Sequence, residues 1–356
     1  MNSIEDRILL HNAYWNREYL KFPIVSFRIG DYFFSSQFKA ARSLLVNGKE
    51  IKPDMINVDS FLEDYERMYQ EVTSTGQDAF WTAEPFTGIP WMEAIIGCEI
   101  YGTENSFISH PCAKSMQDLD KIKFDQENPW FKKYMEFVEK LHKLSEGRFP
   151  IGQPITRGSS DMLGAVIGQS QLVYAMFEEP EKMKEAFYKV TDVFLNVIRS
   201  QYNAISDFQG GYSMGFYHLW SPGKCIWFQE DLSAILSPSY YNDFLKGPNE
   251  KICEGYDYTS VHLHPASFFI LDKLMKIERL KVIEVNKDVG GPKIKQMIPV
   301  FQRILSKKNL IIWGDLDHED IDCIMYELPH KGVFLNIVSE TVEKARDLME
   351  YIKLWK

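Results

Sequence analysis

The chain has 356 residues, 45% hydrophobic and 25% charged, and its 50 acidic against 40 basic side chains leave a formal net charge of −10. Such a composition excludes a disordered or fibrous chain. It also argues against nucleic acid or an anionic membrane as partner, because both are bound through concentrated basic surface. The length suits either one large α/β domain or two domains of about 150–200 residues each.

The N-terminal MNSIEDRILLHNAYW carries acids where a signal peptide has basic residues, and it lacks an apolar core. No run approaches the roughly 20 apolar residues of a membrane span. The five cysteines, Cys98, Cys112, Cys225, Cys253 and Cys323, are scattered, and none has C-x-x-C spacing. They read as reduced thiols of a soluble, cytoplasmic protein rather than as a zinc knuckle or a dithiol redox site.

Residues 1–75 are the less regular part, a helical extension with strand candidates at Pro23–Phe27 and Met55–Val58. From about residue 150 a short apolar run followed by a helical pattern recurs. The strand candidates are Phe149–Thr156, Gly211–Leu219, Thr259–His264, Lys281–Asn286, Leu310–Gly314 and Val333–Val338, each β-branched or aromatic and bounded by turn residues. Between them, residues 180–205 are amphipathic, with Pro180 suited to a first helical turn. Ser237 is placed to cap a second helix, and Glu340–Leu354 forms the last. Alternation of this kind predicts a parallel sheet. Eight strands predict a single (β/α)8 TIM barrel over residues 1–356, with an N-terminal helical extension.

In such a barrel the functional residues lie at the C-terminal strand ends and in the loops after them. The sharpest feature there is His262-Leu263-His264. Alternate residues of a strand point the same way, so both imidazoles project to one side, a good start on a metal site. A third ligand is available from His218, Glu84, Glu230 or Asp288. The competing reading packs one histidine in the barrel and bonds the other to a backbone carbonyl. Arg28 and Arg157, each just past an apolar strand, are placed to hold a carboxylate or phosphate. A salt bridge to a loop acid such as Asp31 or Asp161 is the alternative. Glu230 and Asp231 in 229-QED-231 are candidates for acid, base or ligand. Gly290-Gly291-Pro292 lacks the spacing of a nucleotide loop, and the chain has no G-x-S-x-G elbow and no H-E-x-x-H.

The runs 228-FQEDLSAILSPSYYNDFLKGPNEKI-252, 258-YTSVHLHPASFFILDKLMKIERLKVIEVNKD-288 and 309-NLIIWGDL-316 resemble the C-terminal two-thirds of the uroporphyrinogen decarboxylase superfamily. Further matches are 154-PITRGSSDMLGAVIG-168 and 90-PWMEAIIGCEI-100. The resemblance implies one (β/α)8 barrel. The superfamily includes the haem-pathway decarboxylase and cobalamin-dependent methyltransferases, which move a methyl group from a corrinoid protein to a thiol.

The decarboxylase branch holds porphyrin carboxylates with an N-terminal arginine-rich segment. Here 27-FRIGDY-32 keeps Arg28 and Tyr32 but has Asp31 in place of the second arginine, and Gly88, Gly164 and Val338 stand where the branch's aspartate, tyrosine and late histidine belong. The methyltransferase branch binds zinc through His-x-Cys and a later Cys. His262-Leu263-His264 occupies the first position and Ser339 the last, so one thiolate is replaced by imidazole and the other by hydroxyl.

The resemblance thus implies metal-assisted methyl transfer from a corrinoid on a partner protein to a small acceptor. Zinc would be held by His262 and His264 with a carboxylate such as Glu84, Glu230 or Asp288. Arg28, Tyr32, Arg157 and His218 would bind substrate, and Glu230, Asp231 and Asp288 would serve catalysis. The alternatives are a decarboxylase of uroporphyrinogen or another carboxylic acid, and a barrel that binds a corrinoid without catalysis.

Overall fold

The structure, a computed structural model, describes residues 2–355. Short runs rich in Val, Ile, Phe and Trp, too apolar to face water on either side, become six strands. These are β1 (Ile24–Ile29), β2 (Cys225–Gln229), β3 (Tyr258–Leu263), β4 (Val282–Asn286), β5 (Asn309–Gly314) and β6 (Val333–Ser339). They form one parallel sheet in the order β1-β6-β5-β4-β3-β2, so the first strand of the chain inserts beside the last. The sheet curls, and its two faces carry different cores. Val25, Phe27, Ile283, Val285, Ile312 and Leu335 pack outward into the main cluster shared with the helices. Ile24, Trp227, Val282, Ile311, Trp313 and Phe334 point the other way and form a second cluster on the concave side. Each such side chain, fully buried, stabilises the fold by roughly 1.5–3 kcal/mol.

Five of the expected strands recur within two residues at either end. Two expected strands do not form. Phe149–Thr156 contains Pro150 and Pro154, which lack the N–H a ladder needs. That segment makes only isolated parallel bridges, Ile151 to Ala83 and, just beyond it, Arg157 to Gln229. Met55–Val58 falls between two 3-10 turns, Pro53–Met55 and Val58–Phe61. Gly211–Leu219 is corrected to a small antiparallel hairpin, Tyr212–Met214 with Leu219–Ser221, and the strand of this region is β2 instead. A six-stranded curled sheet therefore replaces the expected eight strands. The backbones of Asp78 and Ala79 donate to Val25 O at 2.9 and 3.2 Å, and Gly158 N donates to Gln229 O at 2.7 Å, so extended segments flank both edges of the sheet.

The N-terminal helix Ile4–Trp15 starts at a capping box of Ser3 and Asp6. It is tied down by Trp15 Nε1 donating to Trp220 O at 2.7 Å and by Asn309 Nδ2 donating to Tyr14 O at 2.9 Å. The long amphipathic segment is one helix, Pro180–Ala204. Ser237 caps its helix as expected, accepting from Tyr240 N, and the last helix runs Val342–Leu354. Among the described residues, no helix is long and apolar enough to cross a membrane.

Candidate metal centre

Parallel register places Gln229 beside His262 and His262 beside Glu284 on β2, β3 and β4. With a side-chain period of two, Ser260 and His262 face the concave side while Val261 and Leu263 join the outer core. His264 follows at the strand end and starts the 3-10 turn Pro265–Ile270. The two imidazole rings lie 4.5 Å apart, edge to face. Their Nε2 atoms converge on one carboxylate oxygen: Asp231 Oδ1 is 3.7 Å from His262 Nε2 and 3.9 Å from His264 Nε2. Ligand atoms of Asp231, His262 and His264 all lie within 4.8 Å of one another, the only such His/Cys/Asp/Glu group among the described residues.

The opposite nitrogen of each ring is backed by a second carboxylate. Glu284 Oε2 takes His262 Nδ1, and Asp288 Oδ1 takes His264 Nδ1 at 2.6 Å. A proton held at Nδ1 leaves Nε2 as the free lone pair, the tautomer a metal requires. Glu284 is fully buried and also accepts from Tyr217 Oη at 3.1 Å. Asn286, two residues on, donates to Asp288 Oδ1 and so steadies the second carboxylate. Burial opposes a charge on His262, but Glu284 at Nδ1, with Asp231 and Asp288 nearby, outweighs it and raises the ring to about 9. Without a metal, protein charge therefore favours a cation at this position.

The third group is Asp231, which the sequence marks as an acid, base or ligand alongside Glu230. Glu84 stands elsewhere: its Oε1 pairs with Arg28 Nη2 at 3.0 Å and accepts from Thr87, so it is not gathered with the histidines. Burial raises the Glu84 carboxyl, with Arg28 working against the rise. Glu230 is also committed. It accepts from the backbone and hydroxyl of both Ser159 and Ser160, at the start of helix Ser159–Ile167. In return Asp161 of that helix accepts from Asp231 N at 3.0 Å and Leu232 N at 2.8 Å. This reciprocal clamp fixes the backbone that presents Asp231. A Cβ at Gly158 would lie 2.6 Å from both Gln229 O and Glu230 Oε1, so the clamp needs glycine there.

Both arginines expected to hold an anion are neutralised within the chain. Arg28 also donates to Phe216 O and lies over the Phe216 ring, its guanidinium carbon 4.1 Å from the centroid. Arg157 pairs with buried Glu93 at 2.9 Å, and its side chain remains 40% exposed. Arg157 helps line a cavity of about 320 Å3 with Ser109, Asp161, Gln169 and Leu232. Tyr32 is bonded to Asp315, donating to Oδ1 at 2.9 Å, and packs on Trp313. His218 is buried at a left-handed backbone angle, φ +59°. Burial, aided by Arg28, holds it well below the usual range, so it is neutral at pH 7. Side-chain atoms Glu84 Oε2, His218 Nδ1, Glu284 Oε1 and Asn286 Oδ1 are buried without a protein partner.

Glu284 and Tyr217 are site residues that strand patterning alone does not single out. The available signal is a charged residue inside the apolar run 282-VIEVN-286, on the face that alternation assigns to the concave side.

No family model and no curated protein sequence matches the chain. A solved structure does: a methyltransferase from Methanosarcina mazei, 13% identical, with 98% of each chain covered and a TM-score of 0.64. At that identity the two share a fold.

Proposed function

We propose that the chain is a methyltransferase of the uroporphyrinogen decarboxylase superfamily. In this reading His262, His264 and Asp231 hold a divalent metal, zinc by the resemblance. The acceptor would be a small molecule, and the methyl group would come from a corrinoid carried by a partner protein. The extended segments at the two sheet edges take the places of the two strands that would complete a (β/α)8 barrel. The observation that carries the reading is the convergence of two carboxylate-backed Nε2 atoms on Asp231 at the C-terminal ends of adjacent parallel strands. Two imidazoles and a carboxylate are a donor set suited to zinc with a position left for an acceptor. The fold shared with a methyltransferase supports the choice of chemistry.

A divalent cation held by His262, His264 and Asp231 would lower the pKa of a thiol or hydroxyl and so favour a nucleophile at neutral pH. The chain's residues do the rest. Glu284 and Asp288 hold the protons at Nδ1 and keep both rings oriented. Asp161 keeps Asp231 facing them. Trp227 and Trp313, both buried, make the concave floor apolar. The decarboxylase alternative needs free arginines at the mouth for carboxylates, whereas Arg28 and Arg157 are matched by Glu84 and Glu93.

The test uses zinc-loaded, untagged protein with free methylcobalamin and a small thiol. Loss of the methylcobalamin spectrum is expected only when zinc and thiol are both present, and His264→Ala should abolish it. Thiol-independent or absent demethylation by protein shown to carry zinc would contradict the assignment.

A further inference from the structure

Cys98 and Cys112 lack C-x-x-C spacing, and the sequence marks them as unpaired thiols. The antiparallel pairing of Glu99–Gly102 with Phe107–His110, in register Glu99 to His110, brings them together at the open end of the hairpin. Their sulfurs lie 3.5 Å apart, and no other cysteine sulfurs are in contact among the described residues. Cys98 is buried, whereas Cys112 is partly exposed. Cys112 borders a surface cavity of about 520 Å3 with Gly97, Lys114, Lys121 and Lys123 in its wall. The Cys98 thiol, hydrogen-bonded to Cys112, favours the thiolate at Cys112 and disfavours it at Cys98. One sulfur is thus accessible and nucleophilic, and the second stands behind it to resolve the product.

The pair also has a mechanical position. Cys98 N donates to Glu93 O at 2.9 Å, and Glu93 is the partner of Arg157. Cys112 N and Ala113 N both donate to Val166 O in helix Ser159–Ile167, the helix clamped to Asp231. Between the cysteines, Ile108, Ser109 and Pro111 line the cavity that Arg157 and Asp161 share.

We propose that Cys98 and Cys112 form a peroxide-oxidisable dithiol whose disulfide locks the hairpin that walls the cavity beside the candidate metal centre. The oxidant is a hydroperoxide. The Cys112 thiolate attacks the distal oxygen; an S–O bond forms, the O–O bond breaks, and the departing oxyanion takes a proton. Cys98 then gives up its proton and attacks the sulfenic sulfur; the S–S bond forms, and hydroxide leaves as water with that proton. Two thiols lose two electrons in all, and the peroxide gains them. The sulfurs must close from 3.5 Å to about 2.05 Å, a shift that side-chain rotation and a small hairpin adjustment supply. The inference does not depend on the metal or on methyl transfer.

The test takes the full-length chain, reduced and desalted, then exposed to a small excess of hydrogen peroxide before alkylation and peptide mass spectrometry. Two of the five thiols should disappear into a Cys98–Cys112 linked peptide. Cys112 should react at least about tenfold faster than Cys323, the other partly exposed thiol. Cys98→Ser should leave a dimedone-trappable sulfenic acid at Cys112, and Cys112→Ser should leave Cys98 unmodified. Amide exchange across residues 99–113 should slow in the oxidised protein. Cys98 and Cys112 alkylating fully while Cys323 oxidises, or cross-links only between chains, would overturn the pair. An intact link without slowed exchange would overturn the lock.

Discussion

Two imidazoles two positions apart on a strand project the same way, but what they become depends on what stands behind each ring. Here Glu284 and Asp288 occupy the Nδ1 sides, so both Nε2 atoms face Asp231. Carboxylates in that role typically contribute 10–100-fold to metal affinity. Glu284→Gln is therefore expected to weaken zinc binding by about that factor in titration calorimetry, with the far-UV spectrum unchanged. Equal affinity in the variant would remove Glu284 from the account. The histidine pair was legible from alternation alone. The third group was not, because several acids stand at strand ends in the sequence and only the register of β2 against β3 selects Asp231.

A second residue-scale prediction concerns His11, which is fully buried, stacks on Phe80 and donates from Nδ1 to Arg7 O. Burial holds its pKa down to about 4, against 6.5 for the free side chain. The unfolded chain therefore takes up a proton there that the folded chain refuses. Its contribution to stability is intact above about pH 6.5 and is lost as pH falls toward 4, a loss of about 3 kcal/mol from a shift of this size. Urea midpoints measured across that window should fall less steeply in His11→Phe than in the natural chain. Parallel slopes would contradict the assignment.

Among the elements, the strands were easiest to read where they are buried on both faces. β4, β5 and β6 appear as continuous apolar runs, and each was placed within two residues. Phe149–Thr156 has only Phe149, Ile151 and Ile155 as large apolar residues, and Pro150 and Pro154 leave it extended without a ladder. β2 was missed because the aromatic-rich 211–219 ahead of it offers the stronger run, which the structure spends on a hairpin around Tyr217 and His218. Helix Ser159–Ile167 shows how an element positions chemistry without touching it. Its N-terminus is capped by Glu230 and its Asp161 holds Asp231 N. Glu230→Ala leaves two backbone N–H groups and two hydroxyls unpaired, so about 2–4 kcal/mol of stability should be lost. Chemical denaturation measures this, and a change under about 0.5 kcal/mol would show that the cap carries nothing.

At the scale of the whole molecule, the sheet order ties the two ends of the chain together. β6 lies between β1 and β5, so the last strand completes a sheet begun by the first. A chain ending at Gly332 should show no cooperative thermal unfolding by circular dichroism, because β1 and β5 lose their shared neighbour. A sharp transition in that truncation would contradict the account. The strand–helix alternation and the shared face of His262 and His264 were visible in sequence. The two segments that never become full strands were not: Pro150 and Pro154 deprive Phe149–Thr156 of ladder donors, and 3-10 turns take up both ends of Met55–Val58.

All these scales meet at the metal centre: residue chemistry supplies the donors, strand register aligns them, and the closing of chain ends onto one sheet holds them still. Elemental analysis with zinc titration calorimetry on untagged, metal-free protein tests this most directly. One zinc per chain is predicted, with binding lost in His262→Ala, His264→Ala and Asp231→Ala, all still folded. No uptake by the natural chain, or uptake unchanged by the three substitutions, would contradict it.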